Sequence, residues 1–325
     1  MAVRRGLTAV HKTGLLAIMM LLSEATDEYL GWLQIERNRS PHTLRAYRQE
    51  LARLTVFLAS RGHTLKVGDL GRTDLRAYQQ HLARSLTQPS SRARALVAVR
   101  SWLRWLASEG TLESDISGSI TLPKQPQRLP KPIEAQELTG LLTGLLSETP
   151  KDKRDKALVL FLLSTGCRIS EALALERYEV PRQGNRLVVT GKGDKQRSVY
   201  LTESAKKALD DYLLCRTDTS PALFINYDRS AADSNQRRLT SSGARYLVRR
   251  IRAETATWSF KSPHVARHTA ATNLLEVTGG DVRLVQEVLG HANLNTLQGY
   301  TKIVDQKKVE AYRRYEERLG AAEPL

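Results

Sequence analysis

Apolar residues recur at intervals of three and four positions through the first third of the chain. The repeat is clearest in 41–60, directly after Ser40 and Pro41, and it returns in 90–108. This spacing places the apolar side chains on one face of a helix, and Ser followed by Pro is a typical helix start. Arginines fall outside the apolar stripe. The pattern therefore predicts a domain of four helices with basic faces over residues 24–117.

Two flanking segments lack this pattern. Residues 118–132 contain four prolines and three cations but no acidic residue, which is typical of an extended basic linker. Residues 1–23 carry an apolar run that is too short to span a membrane. We expect either a helical N-terminal extension, or an upstream start codon with Met19 or Met20 as the true first residue.

After residue 132 the pattern is mixed, and we assign residues 133–325 to a second domain. Two short runs, 187–190 and 197–201, flank a Gly-Lys-Gly-Asp turn and predict a β-hairpin. The predicted helices lie at about 155–164, from about 170, and at about 203–215, 241–256, 265–276, 281–289 and 305–319. The predicted fold class is therefore mainly α with a small β-hairpin in the second domain.

The chain is strongly basic, with a formal charge of +16 that is spread over both predicted domains and the linker. A polyanion that contacts all of them is the natural partner, and an Arg-rich solvated surface is the alternative. The two cysteines, Cys167 and Cys215, form no CxxC motif, which argues against a disulfide scaffold or a cysteine zinc site. We expect a cytoplasmic, nucleoid-associated protein with no membrane partner.

Four separated motifs contain the residues that could carry chemistry. They are Thr165–Glu171, Gly191–Arg197, His264–His268, and Leu289–His291, which is followed nine residues later by Tyr300. Each alone has a structural explanation, such as a helix end, a hairpin tip or a core histidine. Together they supply the roles that a phosphodiester exchange without a metal ion requires.

Two of these roles are to stabilise the charge on the phosphate and to activate the nucleophile. A phosphoryl transition state gathers negative charge on its non-bridging oxygens, and the guanidiniums of Arg168 and Arg267 can stabilise it. The phenol of Tyr300, with an ordinary pKa near ~10, needs help to lose its proton. The imidazole of His264 or His291 can take that proton or hold the hydroxyl in line.

The leaving group is the remaining requirement. A deoxyribose oxygen leaves poorly unless it is protonated, and Lys192 at the predicted hairpin tip can reach it. No Gly-x-Ser-x-Gly nucleophile elbow occurs, and the glycines around Lys192 lack the spacing of a nucleotide P-loop.

A zinc site is the alternative use of the histidines. His264 and His268 lie four residues apart on a predicted helix and would share one face. However, no Glu follows the first histidine and no thiolate is near in sequence. We therefore expect neither a metal nor another cofactor.

Read in order, the motifs are Thr-Gly-x-Arg-x-Ser-Glu, a Gly-Lys-Gly hairpin, His-x-x-Arg-His, Leu-Gly-His and then Tyr. This series resembles the tyrosine recombinase (phage integrase-like) family, and within it the compact Xer-like recombinases. The resemblance covers nearly the whole chain. It implies a two-domain architecture in which a four-helix core-binding domain precedes a mixed α/β catalytic domain.

The resemblance also implies an activity and its residues. The family cleaves and rejoins DNA at specific sites through a 3′-phosphotyrosine intermediate, without a metal or ATP. The implied catalytic residues are Arg168, Lys192, His264, Arg267, His291 and Tyr300. Glu171 and His268 would support them. The implied partners are double-stranded DNA with paired inverted half-sites and, through the C-terminal helix, a homotetramer on that DNA, with accessory proteins left open.

Basic residues at helical spacing are the candidates for DNA contact. Within 241–256, arginines recur opposite Leu247, Val248 and Ile251, as expected of a helix that faces a groove. A solvated helix face is the alternative. The full predicted set is Arg45, Arg48, Arg100, Arg104, Lys124, Arg245, Arg249 and Arg252.

Two other functions stay open at this point. A type IB topoisomerase shares the chemistry, and a silent DNA-binding regulator could share the fold. Dimer resolution, cointegrate resolution and integration of a mobile element are equally compatible tasks.

Overall fold

The computed structural model describes residues 19–124, 131–145, 148–191, 193–227 and 237–290. The chain divides into two compact units, Met1–Gln127 and Arg128–Leu325. The division falls inside the segment 118–132, which the sequence predicts as a linker. The first residues of this segment are packed, because Ile120 is buried in the core of the first unit. The bounds of the linker stay a prediction.

The described residues of the first unit form four α-helices: α1 (Leu22–Ile35), α2 (Pro41–Ala59), α3 (Arg72–Ser85) and α4 (Pro89–Ser108). Helix α2 begins where the sequence predicts, since the hydroxyl of Ser40 accepts a hydrogen bond from the backbone N–H of Thr43 at 3.3 Å. The core of this unit includes Trp102, which is fully buried and donates its indole N–H to the carbonyl of Ala25 at 3.3 Å. Apolar burial along the helices thus joins all four into one bundle.

Where the structure describes it, the second unit consists of helices and one β-hairpin. Its elements are α5 (Ala135–Gly144), α6 (Pro150–Thr165), α7 (Ile169–Ala174), β1 (Arg186–Thr190), β2 (Gln196–Tyr200), α8 (Glu203–Leu214), α9 (Ser241–Glu254), α10 (Pro263–Val277) and α11 (Val282–Leu289). The strands are antiparallel, with Arg186 opposite Tyr200 and Thr190 opposite Gln196. The predicted fold class, mainly α with a small hairpin, is confirmed. The helix predicted at 305–319 lies outside the described residues.

Helix α6 is the centre of this unit and leads directly into the first motif. Thr149 caps its N-terminus by accepting from the backbone N–H of Asp152 at 3.2 Å. The helix packs against α8 and α10 and ends at Gly166, which has a φ of +59°. A side chain there would be strained, and its Cβ would stand 2.4 Å from Cδ2 of Leu289. The tight turn therefore brings Gly166, two residues before Arg168, against Leu289 at the end of α11.

Among the described residues, no helix combines the length and the apolar character needed to cross a membrane.

Candidate active site

Arg168 and Glu171 come together at the start of α7. The carboxylate of Glu171 accepts from the backbone N–H of Arg168 through Oε2 and from its Nη1 through Oε1, each at 2.8 Å. The side chain of Glu171 is 3% exposed, whereas that of Arg168 is 38% exposed. The helix start therefore fixes the carboxylate inside the unit and leaves the guanidinium of Arg168 open to a ligand.

Arg197 on β2 is a third member of this group. Its Nη2 donates to Oε2 of Glu171 at 2.7 Å, and its Nε donates to the carbonyl of Val288 at 3.2 Å. The sequence places Arg197 in the hairpin motif but indicates no role for it. Side chains alternate between the two faces of a strand, and Arg197 is two residues from the buried Val199. This spacing indicates that Arg197 lies on the inward face of β2.

Arg267 on α10 is held by the ends of two other helices. Its Nη1 donates to the carbonyl of Gly166 at 2.7 Å, and its Nη2 donates to that of Leu289 at 2.8 Å. Both carbonyls lie at helix C-termini, where helical partners are lacking. Arg267 is 8% exposed, and His264, three residues earlier on the same helix, is exposed.

The pKa values follow from this arrangement. Burial alone would raise the pKa of Glu171, but the hydrogen bonds from Arg197 and Arg168 prevail and lower it to about 2. Burial, together with the charges of Arg168 and Arg197, lowers the pKa of Arg267 to about 10. Arg267 therefore stays charged at neutral pH, beside the guanidiniums of Arg168 and Arg197. With one carboxylate among them, the group keeps an excess of positive charge, which suits an anion such as phosphate.

Of the remaining predicted catalytic and supporting residues, the structure describes only His268. Lys192, His291 and Tyr300 lie outside the described residues. His268 is half-buried on α10, one turn after His264. Within the described ranges, no group of three or more His, Cys, Asp or Glu side chains could hold a metal ion.

In the first unit, four of the five predicted DNA-contact residues lie on two helices that pack against each other, α2 and α4. Arg45 and Arg104 are exposed and Arg100 is half-buried. Arg48 is exposed but paired with Asp27 at 2.6 Å. Lys124, at the end of a described range, is also exposed.

In the second unit, the predicted contacts lie along α9. Arg245 and Arg249 are exposed, while the guanidinium of Arg252 lies over the ring of Trp258, 5.0 Å from its centroid. Arg250, which the sequence did not single out, is half-buried and pairs with the buried Asp155. The buried face of α9 contains Leu247, Val248 and Ile251, and Arg245 and Arg249 lie outside it.

Comparison with known families identifies both units. Residues 131–307 match the phage integrase family, and residues 26–110 match the N-terminal SAM-like domain of phage integrases. Tyrosine recombinase XerC of Pelobacter propionicus is 36% identical over 310 residues, which cover 94% of this chain and 99% of that protein. Tyrosine recombinase XerD of Mycobacterium leprae is 34% identical over 305 residues, which cover 87% and 94%.

Solved structures agree on the fold. The post-cleavage complex of XerH site-specific recombinase bound to a palindromic difH substrate matches with a TM-score of 0.65 at 21% identity, covering 91% of this chain and 85% of that chain. A lambda integrase tetramer bound to a Holliday junction matches with a TM-score of 0.65 at 16% identity, covering 90% and 83%. The two-domain recombinase architecture is thus confirmed, and the chain belongs to the phage integrase family as a tyrosine recombinase.

Proposed function

We propose that this chain is a site-specific recombinase that cuts and rejoins duplex DNA, with Tyr300 as the nucleophile. The observation that carries the proposal is the group of Arg168, Arg197 and Arg267 around the single carboxylate of Glu171. Such a group binds a phosphate and stabilises the charge that grows on its oxygens during the exchange. The relatives that match most of the chain are recombinases, which disfavours the topoisomerase and regulator alternatives.

Arg168 and Arg267 are assigned to the phosphate. A guanidinium has five N–H donors; in the described contacts Arg267 uses two of them on carbonyls, and Arg168 uses one on Glu171. The donors that remain can reach the non-bridging oxygens. Because helix ends fix Arg267, its donors need little reorganisation when the transition state forms.

The other roles complete a balanced step. The phenolic oxygen of Tyr300 forms a bond to phosphorus, and its proton passes to His264 or His291. The bond to the 5′-oxygen breaks, and that oxygen takes a proton from Lys192 and leaves as a 5′-hydroxyl. The products are a 3′-phosphotyrosine and a free strand end, and rejoining is the same step in reverse. Glu171 and His268 support the site, and no cofactor is assigned.

Both units contribute to binding DNA in this proposal. The residues assigned to DNA are Arg45, Arg48, Arg100, Arg104, Lys124, Arg245, Arg249 and Arg252, and exposure of most of them supports the assignment. By likeness to the XerH and lambda integrase complexes, we assign paired inverted half-sites and a homotetramer. Docking of the C-terminal helix, 305–319, on a neighbouring protomer and association with the nucleoid belong to the same proposal.

The decisive experiment is covalent capture. The chain is incubated with a library of duplexes that have randomised inverted arms and a nick near the centre, and denaturation-resistant adducts are recovered. Tyr300→Phe is the test variant. Tyr178→Phe is the matched control, because it loses the same hydroxyl from an exposed position in the second unit. We expect adducts with the unmutated chain and the control only.

Two outcomes would contradict the proposal. Adducts from Tyr300→Phe equal to those of the unmutated chain would exclude Tyr300 as the nucleophile. DNA binding without any adduct from the unmutated chain would favour the regulator alternative.

The assignment of Arg249 to DNA has its own test. If Arg249 contacts a phosphate, Arg249→Ala should lower the slope of log K against log salt by about 1. Arg182→Ala, which removes an exposed arginine from a loop of the same unit, should leave the slope unchanged. An equal slope for Arg249→Ala and the unmutated chain would remove Arg249 from the interface.

A further inference from the structure

We infer that Arg197 is a positioning residue of the active site, which ties the hairpin containing Lys192 to Glu171 and to the end of α11. The inference rests on the proposed function. In this inference, Arg197 sets the distance between the arginines that bind phosphate and the segment that leads to Tyr300.

The contacts of Arg197 join three elements through one rigid group. Its own strand, β2, is one arm of the hairpin. Its Nη2 reaches Glu171 at the start of α7, and its Nε reaches the carbonyl of Val288 in the last turn of α11. A planar guanidinium can hold both acceptors at fixed angles, whereas an ammonium is a single point charge. The C-terminal end of a helix also favours a cation.

Glycines on two sides allow the backbone to approach this group. A Cβ at Gly290 would lie 2.8 Å from Cδ of Arg197 and 3.0 Å from its Nε. A Cβ at Gly191 would lie 3.2 Å from Oε1 of Glu171 and 3.5 Å from Nη1 of Arg197. Gly191 directly precedes Lys192 in the sequence and directly follows β1, and Gly290 directly precedes His291. The close packing therefore occurs next to both catalytic segments.

Arg197 is suited to positioning rather than to contact with DNA. Its side chain is 12% exposed, and its two described hydrogen bonds go to acceptors of the protein. Its Nη2 binds Oε2 of Glu171, whereas the guanidinium of Arg168 binds Oε1. The more exposed guanidinium of Arg168 thus keeps donors for a phosphate.

Three variants of the full chain test the inference: Arg197→Met, Arg197→Lys and Arg186→Met. Arg186 is the matched control, because it lies on β1 of the same hairpin, is exposed, and donates only to Ser198 at 3.0 Å among the described contacts. The probe is the nicked duplex that the unmutated chain captures. Its Kd, the single-turnover rate of adduct formation at saturating DNA, and the Tm are measured for each variant.

We expect Arg197→Met to keep Kd within about threefold and to lose about 30-fold or more in adduct rate, the signature of an interaction used in the chemical step. Arg197→Lys should recover part of the rate, since it restores the charge but not the fork. Arg186→Met should match the unmutated chain in both quantities. A purely structural role would instead weaken binding and rate together.

The inference is overturned if Arg197→Met forms adducts within threefold of the unmutated rate, or if its Kd rises as much as its rate falls. If Arg197→Met does not fold, Arg197→Lys decides: a slow variant with unchanged Kd supports positioning, and an unmutated rate refutes it. Failure of the proposed function differs from these outcomes, because the unmutated chain would then form no adduct, or one that persists in Tyr300→Phe.

Discussion

Replacing Glu171 by Gln removes the one negative charge from the arginine group while keeping the size of the side chain. In the described structure the carboxylate accepts three hydrogen bonds, from Nη1 and the backbone N–H of Arg168 and from Nη2 of Arg197. The amide of Gln has one oxygen instead of two, and its NH₂ group would face a guanidinium. We therefore expect Glu171→Gln to destabilise the second unit.

The loss in free energy of unfolding caused by Glu171→Gln can be estimated in two ways. Removing one partner of a buried ion pair costs about 3–5 kcal/mol, and the lower end applies because Arg168 is partly exposed. Independently, lowering the pKa of Glu171 from 4.5 to about 2 corresponds to about 3 kcal/mol at roughly 1.4 kcal/mol per tenfold change in acidity. In a unit of this size, a loss of about 3 kcal/mol lowers Tm by about 6–12 °C.

The assay is calorimetric unfolding of the full chain at neutral pH, following the transition of the second unit. Glu176→Gln is the matched control, since its pair with Arg238 is longer, at 3.4 Å, and about a third exposed. That change should cost less than about 1 kcal/mol. A Tm for Glu171→Gln within about 2 °C of the unmutated chain would refute the idea that Glu171 stabilises the group.

The same carboxylate gives a pH dependence. Because its folded-state pKa lies below its ordinary value of 4.5, its contribution is complete above that value and is lost as the pH falls toward about 2. The groups that face it are Arg168, Arg197, Arg267 and Cys167, and in this range Arg267 stays charged and the thiol of Cys167 stays neutral. The stability difference between the unmutated chain and Glu171→Gln, from urea unfolding, should therefore shrink on acidification. A constant difference would contradict this account.

Two further predictions follow from burial and backbone geometry. Burial raises the pKa of the Cys167 thiol to about 12. A disulfide reagent should therefore react with Cys215 alone in the folded chain and with both thiols after unfolding. Two reactive thiols before unfolding would contradict this prediction. Gly166→Ala should lower the free energy of unfolding by more than about 2 kcal/mol, because strain at positive φ adds to the contact with Leu289. Gly184→Ala, also at positive φ but with open space around it, should cost only the strain, and equal losses would show that the contact is unimportant.

The helices and the hairpin could be predicted because local signals determine them. Helix α2 has Ser40 as its cap and a regular apolar stripe, and it was predicted to within one residue. Helix α5 was missed because Gly140, Gly144 and two threonines weaken its pattern. The start of α6 at Pro150 was also missed, since its first turn is charged on all sides.

For the described part of the candidate site, the sequence indicated several residues but not the contacts between them. Motif order indicated Arg168, Glu171 and Arg267, whose proximity the structure shows through the hydrogen bond from Arg168 to Glu171 and through the effect of both charges on the pKa of Arg267. The role of Arg197 was not indicated, because its contact with Val288 spans 91 positions. Local periodicity contains no information on such a pairing, which depends on how α11 packs against the hairpin.

The way the arginines are held explains why the site stays cationic. Buried guanidiniums need partners, and a carboxylate for each would satisfy them but cancel the charge that a phosphate requires. Here Arg267 is held by two neutral carbonyls at helix ends, and Arg168 and Arg197 share one carboxylate. In the described contacts, the three guanidiniums are thus held in place with a single negative charge. Replacing Gly166 or shifting the end of α11 would therefore disturb Arg267 directly, although neither segment needs to contact DNA itself.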